Sequence, residues 1–531
     1  FLARGGDDYP YGDDTFTLLG VSYQQALANY LETELGGTVS EADYPEIGEG
    51  RVVDLSAPFT LTILHNNDGE SQLLGIDTDD DPDFEFGGIA HFATKVDELR
   101  AEAATMTNGS VLLTSGDNFL PGPEFNASLD DEVYYDAIGL DLIGYDGFAI
   151  GNHDFDFGPD VLAEFIGAFT ETQPPFVSAN LDFSGEANLQ TLVDAGRIVP
   201  STILNVGGQQ VGVLGLTTPN LPFIATPGDV VVSSDLATIA QAQIDALEAA
   251  GVNKIILIAH LQGIEEDIDL IDELRGVDVV IAGGGDELLA NDGDLLIPGD
   301  EDEIFDTYPI TAQDADGNDV PVVTTRGNYS YVGRLVVEFD GMGNLLSVGD
   351  ESGPVRIAQP ASGEADAVAA DAAIQEQVVD PVAASVAALQ ANVIANSEVV
   401  LNGVRGDIRS VETNLGNLIA DAFLWQANEL NDQFGAPAAD VALANGGGIR
   451  NDSEIPAGEL TEFDTFDILP FSNFITIVEE LTPAQFENLL ENAISRVEGG
   501  SGTGRFAQIA GFTYTYDADR QARTFDDDGN V

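Results

Sequence analysis

The residues in this chain best suited to chemistry are Asp68, Asp117, Asn152, His153 and His260, and each lies just beyond a short apolar run. Gly147-Phe148-Ala149-Ile150 leads into Gly151-Asn152-His153-Asp154-Phe155-Asp156-Phe157-Gly158. Phe59 to His65 leads into Asn66-Asn67-Asp68-Gly69-Glu70. Ser110 to Ser115 leads into Gly116-Asp117-Asn118, and Lys254 to Ala259 into His260. Such runs, closed by Gly, Asn and Asp, read as buried strands ending in loops, and open α/β sheets bind ligands at the carboxyl ends of their strands. Paired carboxylates with an amide and imidazoles can hold two divalent cations a few Å apart. Such a pair activates a water and stabilises the oxygens of an in-line phosphoryl displacement. Taken alone, Gly151–Gly158 reads equally well as a polar turn with an ordinary histidine, so the partners decide. The chain has 4 histidines (His65, His91, His153 and His260), all in its first large domain and three of them in these strand-end runs.

The elements that must carry these loops alternate. Helix-like segments cover Gly88–Ala104 and Asp131–Leu142, and further strands are expected at Phe176–Asn180, Val211–Leu216 and Val277–Ala282. Strand–helix alternation predicts an α/β layered domain. Asp314-Ala315-Asp316-Gly317-Asn318-Asp319 resembles a calcium loop, but its spacing is incomplete, and Asp-Gly between β-rich runs predicts a hairpin turn. Ala369–Val393 is helical in pattern and reads as part of an interdomain connection. Beyond Leu401 the pattern predicts a helix over Asn414–Leu430, a strand at Val441–Ala444 ending in Asn445-Gly446-Gly447-Gly448-Ile449-Arg450, a helix over Pro483–Arg496 and a strand at Phe512–Tyr516.

Composition narrows the function. The chain has 531 residues and a net charge of −76, with 93 Asp+Glu against 17 Lys+Arg. Only Lys95 and Lys254 are lysines. Nucleic acid would be repelled, so a basic-patch binder of DNA or RNA is excluded. A hydrophobic fraction of 44% marks a folded protein rather than an acidic tail. The acid-rich, lysine-poor balance suits high salt, where self-repulsion is screened, and predicts a marine or halophilic source and a place outside the cytoplasm. An acidic protein that uses divalent cations would look similar. With 0 cysteines there is no disulfide and no cysteine-zinc site. No stretch is apolar enough to span a membrane. Residue 1 is Phe and no signal peptide is evident, so the chain is expected to begin after processing or within something longer.

With these motifs in hand, the chain resembles the 5′-nucleotidase family over roughly residues 58–531. The resemblance rests on Leu61–Asp68, Gly116-Asp117-Asn118, Gly151–Asp154, Ala259-His260, Glu412-Thr413-Asn414-Leu415-Gly416-Asn417-Leu418, Asn445–Arg450 and Pro470–Asn473. It implies a four-layer α/β/β/α metallophosphoesterase domain over 58–355, a helical linker over 356–400 and an α/β nucleotidase C-terminal domain over 401–531. It also implies a two-metal phosphoesterase, secreted to the periplasm or the outside, acting on nucleotides or related phosphate esters. Asp68 then matches a ligand of the first metal, and Asp117 the carboxylate shared by both. Asn152 and His260 match ligands of the second metal. His153 matches the histidine that contacts the phosphate. Arg409, Asn445 and Arg450 match substrate-binding positions, and Phe471 and Asn473 the residues that stack on and hydrogen-bond the base.

Departures from the family pattern shape the rest. Asp68-Gly69-Glu70 stands where Asp-x-His is usual, and Gly283-Gly284-Gly285-Asp286 where Gly-His-x-His is usual. Glu70 and Asp286 can still bind a hard cation, whereas Gly284 cannot. Fewer imidazoles and more carboxylates favour Mg, Mn or Ca over Zn, with one or two ions held. The closing piece of the family's second domain is expected at the chain start, in Phe1, Gly5-Gly6-Asp7 and a helix over Val21–Leu35. Phe1 matches the second aromatic of the base clamp and Asp7 the acid beside it. Residues 1–53 then belong to a preceding tandem copy, a permuted chain or a neighbouring subunit, which predicts self-association. Two functions compete: a metal-dependent phosphoesterase with a retuned site, and a catalytically degenerate module forming an extracellular filament or surface layer. A calcium-binding adhesive reading rests only on acidic loops such as Asp77–Asp83 and Asp314–Asp319.

Overall fold

Alternation within Phe59–Asn66 sets the layering. Leu61 and Ile63 face one way and enter one core, and Leu64 faces the other way and enters a second. The neighbouring strand Ser110–Thr114 repeats this, sending Val111 and Leu113 to the first core and Leu112 to the second. The computed structural model describes residues 21–39, 58–76, 84–471, 473–497 and 504–517. Contacts divide the chain into two compact units, one formed mainly by residues 1–54 and one by nearly all the rest.

In the larger unit, the first sheet runs Leu345–Val348, Tyr331–Phe339, Phe59–Asn66, Ser110–Thr114, Gly147–Ala149, Phe176–Val177, Ile198–Val199, with Gly353–Arg356 also paired to Tyr331–Phe339. Phe59–Asn66, Ser110–Thr114 and Gly147–Ala149 are parallel, so their carboxyl ends share one edge. The second sheet runs Ile310–Gln313, Asp319–Val323, Val279–Ile281, Ile255–His260, Gln209–Thr217, Ser201–Val206. Its central strands are parallel too. The two sheets pack face to face through the first core, which also takes Ala240, Ile244 and Leu247 of helix Leu236–Ala249 on the far side of the second sheet. Helices Ile89–Met106, Tyr135–Ile143 and Pro159–Gly167 cover the outer face of the first sheet. This is the expected four-layer α/β/β/α arrangement.

Asp314–Asn318 is a hairpin turn, as expected: Ile310–Gln313 and Asp319–Val323 are antiparallel. The Asp314 side chain accepts the amides of Asp316 and Asn318, closing its own turn. Asp77–Asp83 lies outside the described residues. The segment after Arg356 is structural rather than a loose tether. Helix Asp380–Ala391 places Val382 and Val386 in the second core, and strand Val393–Ser397 then pairs with Gly458–Thr461. The C-terminal region packs helix Asn414–Phe434, capped by Thr413, around a small core of Leu401, Ile408, Leu415, Ile419 and Ile449. Both lysines are interior. Lys95 pairs with Glu98 at 2.8 Å, and the Lys254 ammonium sits 5.2 Å from the centre of the Phe59 ring and 5.8 Å from that of Phe339.

Two elements differ from expectation. Helix Pro123–Asp131 precedes Tyr135–Ile143, and a left-handed Glu132 (φ 54) ends it, splitting what reads as one helix from Asp131. Phe512–Tyr516 is not a strand; the strand is Ala507–Ala510, paired with Ala442–Asn445. Gly511 (φ 83) turns the chain away, leaving Phe512, Tyr514 and Tyr516 as a ring series. In the smaller unit, Ser22 caps helix Tyr23–Asn29, which continues as a wider turn to Glu34 before Gly36-Gly37. Phe1 and Asp7 lie outside the described residues.

Candidate active site

The parallel strands deliver their loops to one edge. Asp68 follows Phe59–Asn66, Asp117 follows Ser110–Thr114, Asn152 and His153 follow Gly147–Ala149, and His260 ends Ile255–His260. These loops hold strained backbone. Asp68 (φ 47), Glu70 (φ 48), Asp117 (φ 51), Asp286 (φ 56) and Gln262 (φ 91) are all left-handed without being glycine. Such conformations cost about 1–3 kcal/mol each and collect where the surroundings impose them, often at functional sites. Close approach is built in as well: a Cβ on Gly151 would fall 2.0 Å from Asp117 Oδ1, so only glycine lets the two loops meet.

Asp117 is the hub. Its Oδ2 lies 3.0 Å from His260 Nε2, and its Oδ1 accepts the His153 backbone amide at 2.8 Å. Asp68 Oδ1 lies 4.0 Å from His260 Nε2. Asn152 Oδ1 lies 3.1 Å from the same nitrogen. His260 Nδ1 faces the Ser115 carbonyl at 2.8 Å. A carbonyl only accepts, so Nδ1 carries the hydrogen and the Nε2 lone pair is the one available to a ligand in the neutral ring. Two groups of ligating side chains result: Asp68 with Asp117 and His260, and Glu70 with Asp117 and His153. Asp286 belongs to the same cluster, felt electrostatically by Asp68 and by Glu70.

The charges are poorly balanced. Burial pushes the Asp68 carboxyl up to about 7, against the pull of His260. Burial, then Asp68 and Asp286, raises Glu70 well above its ordinary value. Burial also works against charge on Asp117, but His260 and His153 overcome it and hold Asp117 below the usual range. Both imidazoles rise to about 10. Burial opposes their charge, and Asp117 outweighs it, with Asp156 helping at His153 and Asp68 at His260. Four acids thus share two imidazoles, with Arg326 acting on Asp286. Rich in carboxylate oxygens crowded around two imidazoles, the cluster has the donor chemistry that divalent cations take.

Other residues hold the cluster in place. Asp156 Oδ2 meets His153 Nδ1 at 2.7 Å and so orients the ring. Asp154, fully inside, accepts the Asn118 and Gly151 amides and ties two of the loops together. Asn67 donates to Asp68 Oδ2 at 2.6 Å and accepts the Thr325 amide at 2.8 Å. Sequence reasoning assigned none of these. The Asp-x-Asp after His153 was the available signal for the first two.

The C-terminal region closes over this edge. Phe471 lies parallel to the His153 ring, 6.5 Å between centres and 6° apart in plane. The Arg450 guanidinium sits 4.9 Å from the centre of the Phe471 ring. Arg409 is buried, feels the charge of Arg450, and its Nε has no partner among the described residues. Asn445 ends strand Ala442–Asn445, and Asn473 is exposed.

A rat 5′-nucleotidase is 30% identical over 468 residues, spanning 87% of this chain and 76% of its own length. The chain belongs to the 5′-nucleotidase family. The model of the 5′-nucleotidase C-terminal domain matches residues 393–527. The solved 5′-nucleotidase precursor of Thermus thermophilus is 33% identical with a TM-score of 0.65, covering 87% of this chain and 83% of its own. A trifunctional nucleotide phosphoesterase protein of Bacillus subtilis is 30% identical over 488 residues, 86% of this chain but 29% of its own length.

Proposed function

We propose that this protein is a metal-dependent phosphoesterase that hydrolyses nucleotides or related phosphate esters outside the cytoplasm, through a site retuned toward oxygen donors. The observation that carries the reading is Asp117, with one oxygen on His260 and the other on the His153 loop. Divalent cations fit the donors present. Asp68, Asp117, Glu70 and Asp286 would hold one, and Asp117, Asn152 and His260 a second, with Mg, Mn or Ca favoured over Zn. When bound, such ions supply Lewis-acid chemistry, activating water and neutralising phosphate oxygens.

The chain's own groups do the rest. His153 donates to the anionic phosphoryl group, while Asp156 fixes the ring by its Nδ1. Phe471, parallel to His153 and under Arg450, is the aromatic surface proposed to take a base, with Arg409, Asn445 and Asn473 as the further proposed contacts. Phosphate release from AMP and from p-nitrophenyl phosphate, with Mn, Mg, Ca or Zn, tests the reading. Turnover that falls at least 100-fold in His153→Ala supports it. No turnover with any metal sinks it and leaves the degenerate, filament-forming module.

Self-association through residues 1–53 is a second part of the proposal. In the described stretch, Leu27 is 59% exposed and Tyr30 44%, and the helix carries no charge before Glu32. Two chains of net charge −76 can approach most easily through such a surface. Electron microscopy and sedimentation at high salt check this, and a monodisperse monomer refutes it.

A further inference from the structure

Gln262 stands two residues past His260, with φ 91, a conformation that a side chain other than glycine adopts only under constraint. Its half-buried side chain reaches the cluster: Nε2 donates to Asn152 Oδ1 at 2.5 Å. That same oxygen lies 3.1 Å from His260 Nε2, which lies 3.0 Å from Asp117 Oδ2. The Gln262 carboxamide therefore touches the group formed by Asp117, Asn152 and His260.

Gly284 explains how it gets there. A Cβ on Gly284 would fall 2.9 Å from His260 Nε2 and 3.1 Å from both the Cα and the N of Gln262. A side chain at 284 would crowd both the His260 ring and the Gln262 backbone, so glycine there leaves room for this course of the chain. Gly284 supplies no donor of its own, and the Gln262 carboxamide stands beside the space it leaves. An amide is also two-ended: rotation about its last bond exchanges Nε2 for Oε1 with little change in shape. The nitrogen end suits Asn152 Oδ1 while that oxygen needs a hydrogen bond. The oxygen end suits a hard cation.

We propose that Gln262 is a ligand of the cation held by Asp117, Asn152 and His260, its Oε1 taking the place of the donor that Gly284 lacks. This rests on the reading that the cluster binds divalent cations. The alternative role is positioning only, with Gln262 steadying Asn152 through its N–H. The two differ in the sign of one substitution. Gln262→Glu adds a charged oxygen donor and removes the N–H, so a ligand role predicts tighter binding and a positioning role weaker binding.

The test is Mn2+ titration of the metal-free full chain by calorimetry, with free Mn2+ counted by electron paramagnetic resonance. The expected result is that Gln262→Ala weakens one site about 10- to 100-fold and Gln262→Glu tightens that site. Unchanged Mn2+ affinity in Gln262→Ala, or weaker binding in Gln262→Glu, overturns the assignment. Wild-type chain that binds no Mn2+ overturns the phosphoesterase reading instead, so the two failures are distinct. The unfolding temperature of each metal-free variant, matched to wild type, shows that the change lies in the site.

Discussion

Adding a single methyl group at Gly151 should dismantle the site. In Gly151→Ala the new carbon would stand 2.0 Å from Asp117 Oδ1, 2.5 Å from Asp117 N and 2.8 Å from Asp117 Cγ. Ordinary contact begins near 3.4 Å. The Asp117 carboxylate must therefore withdraw by roughly 1 Å or more, and a displacement of that size at a reacting centre costs on the order of 100-fold in rate. Its Oδ1 also accepts the His153 amide at 2.8 Å, a bond to a charged acceptor worth about 1.5–3 kcal/mol. Overpacking adds about 1–3 kcal/mol. The expected variant is destabilised by about 2.5–6 kcal/mol, hydrolyses phosphate esters at least 100-fold more slowly and binds Mn2+ weakly. Gly167→Ala, where nothing lies within 4 Å of the added carbon, is the control and should behave as wild type. Phosphate release, calorimetric Mn2+ titration and thermal unfolding read the three effects. A Gly151→Ala chain that keeps more than half its activity and melts with wild type would refute the argument that the two loops meet through this glycine.

Three further outcomes are expected. Asp156→Asn removes the charged partner of His153 Nδ1 and should lower kcat about 10- to 100-fold with little change in KM, measured by steady-state phosphate release. Phe471→Ala should raise KM about 10-fold or more for AMP and much less for p-nitrophenyl phosphate, because base stacking is worth about 1–3 kcal/mol. Asp136 is fully buried, and that burial raises its carboxyl to about 7 from an ordinary 3.8. The fold favours its protonated form, so wild type loses stability as pH climbs from about 4 through about 7, by about 2–4 kcal/mol. Asp136→Asn lacks this loss, so its unfolding free energy relative to wild type should rise across that window; a flat difference refutes it.

The strand-end motifs were legible because parallel strands of buried residues write themselves as unbroken apolar runs, and their loops follow at once. Asp68, Asp117, Asn152 and His260 come together for that reason, from positions almost 200 residues apart. What the sequence withheld depends on local backbone. Nothing in Leu261-Gln262-Gly263 announces a left-handed Gln262, since its backbone lies against Gly284, a residue distant in sequence. Asp154 and Asp156 are alike on paper, but the short helical turn His153–Phe155 sends one to the loop amides and the other to the imidazole. Alternation in Phe512–Tyr516 suggests a strand, yet the partner Ala442–Asn445 is already taken by Ala507–Ala510. Pairing competition of that kind is non-local and leaves no mark in a short window.

The two interior lysines carry a practical consequence. Lys95 is 8% exposed and Lys254 2%, and the chain has no others. Its outer face therefore offers almost no ε-amine to amine-directed cross-linkers, dyes or glycating sugars, nor a lysine for trypsin to cut after. Coupling to a surface will have to go through carboxylates, and a lysine introduced at a chosen exposed position would be a nearly unique handle.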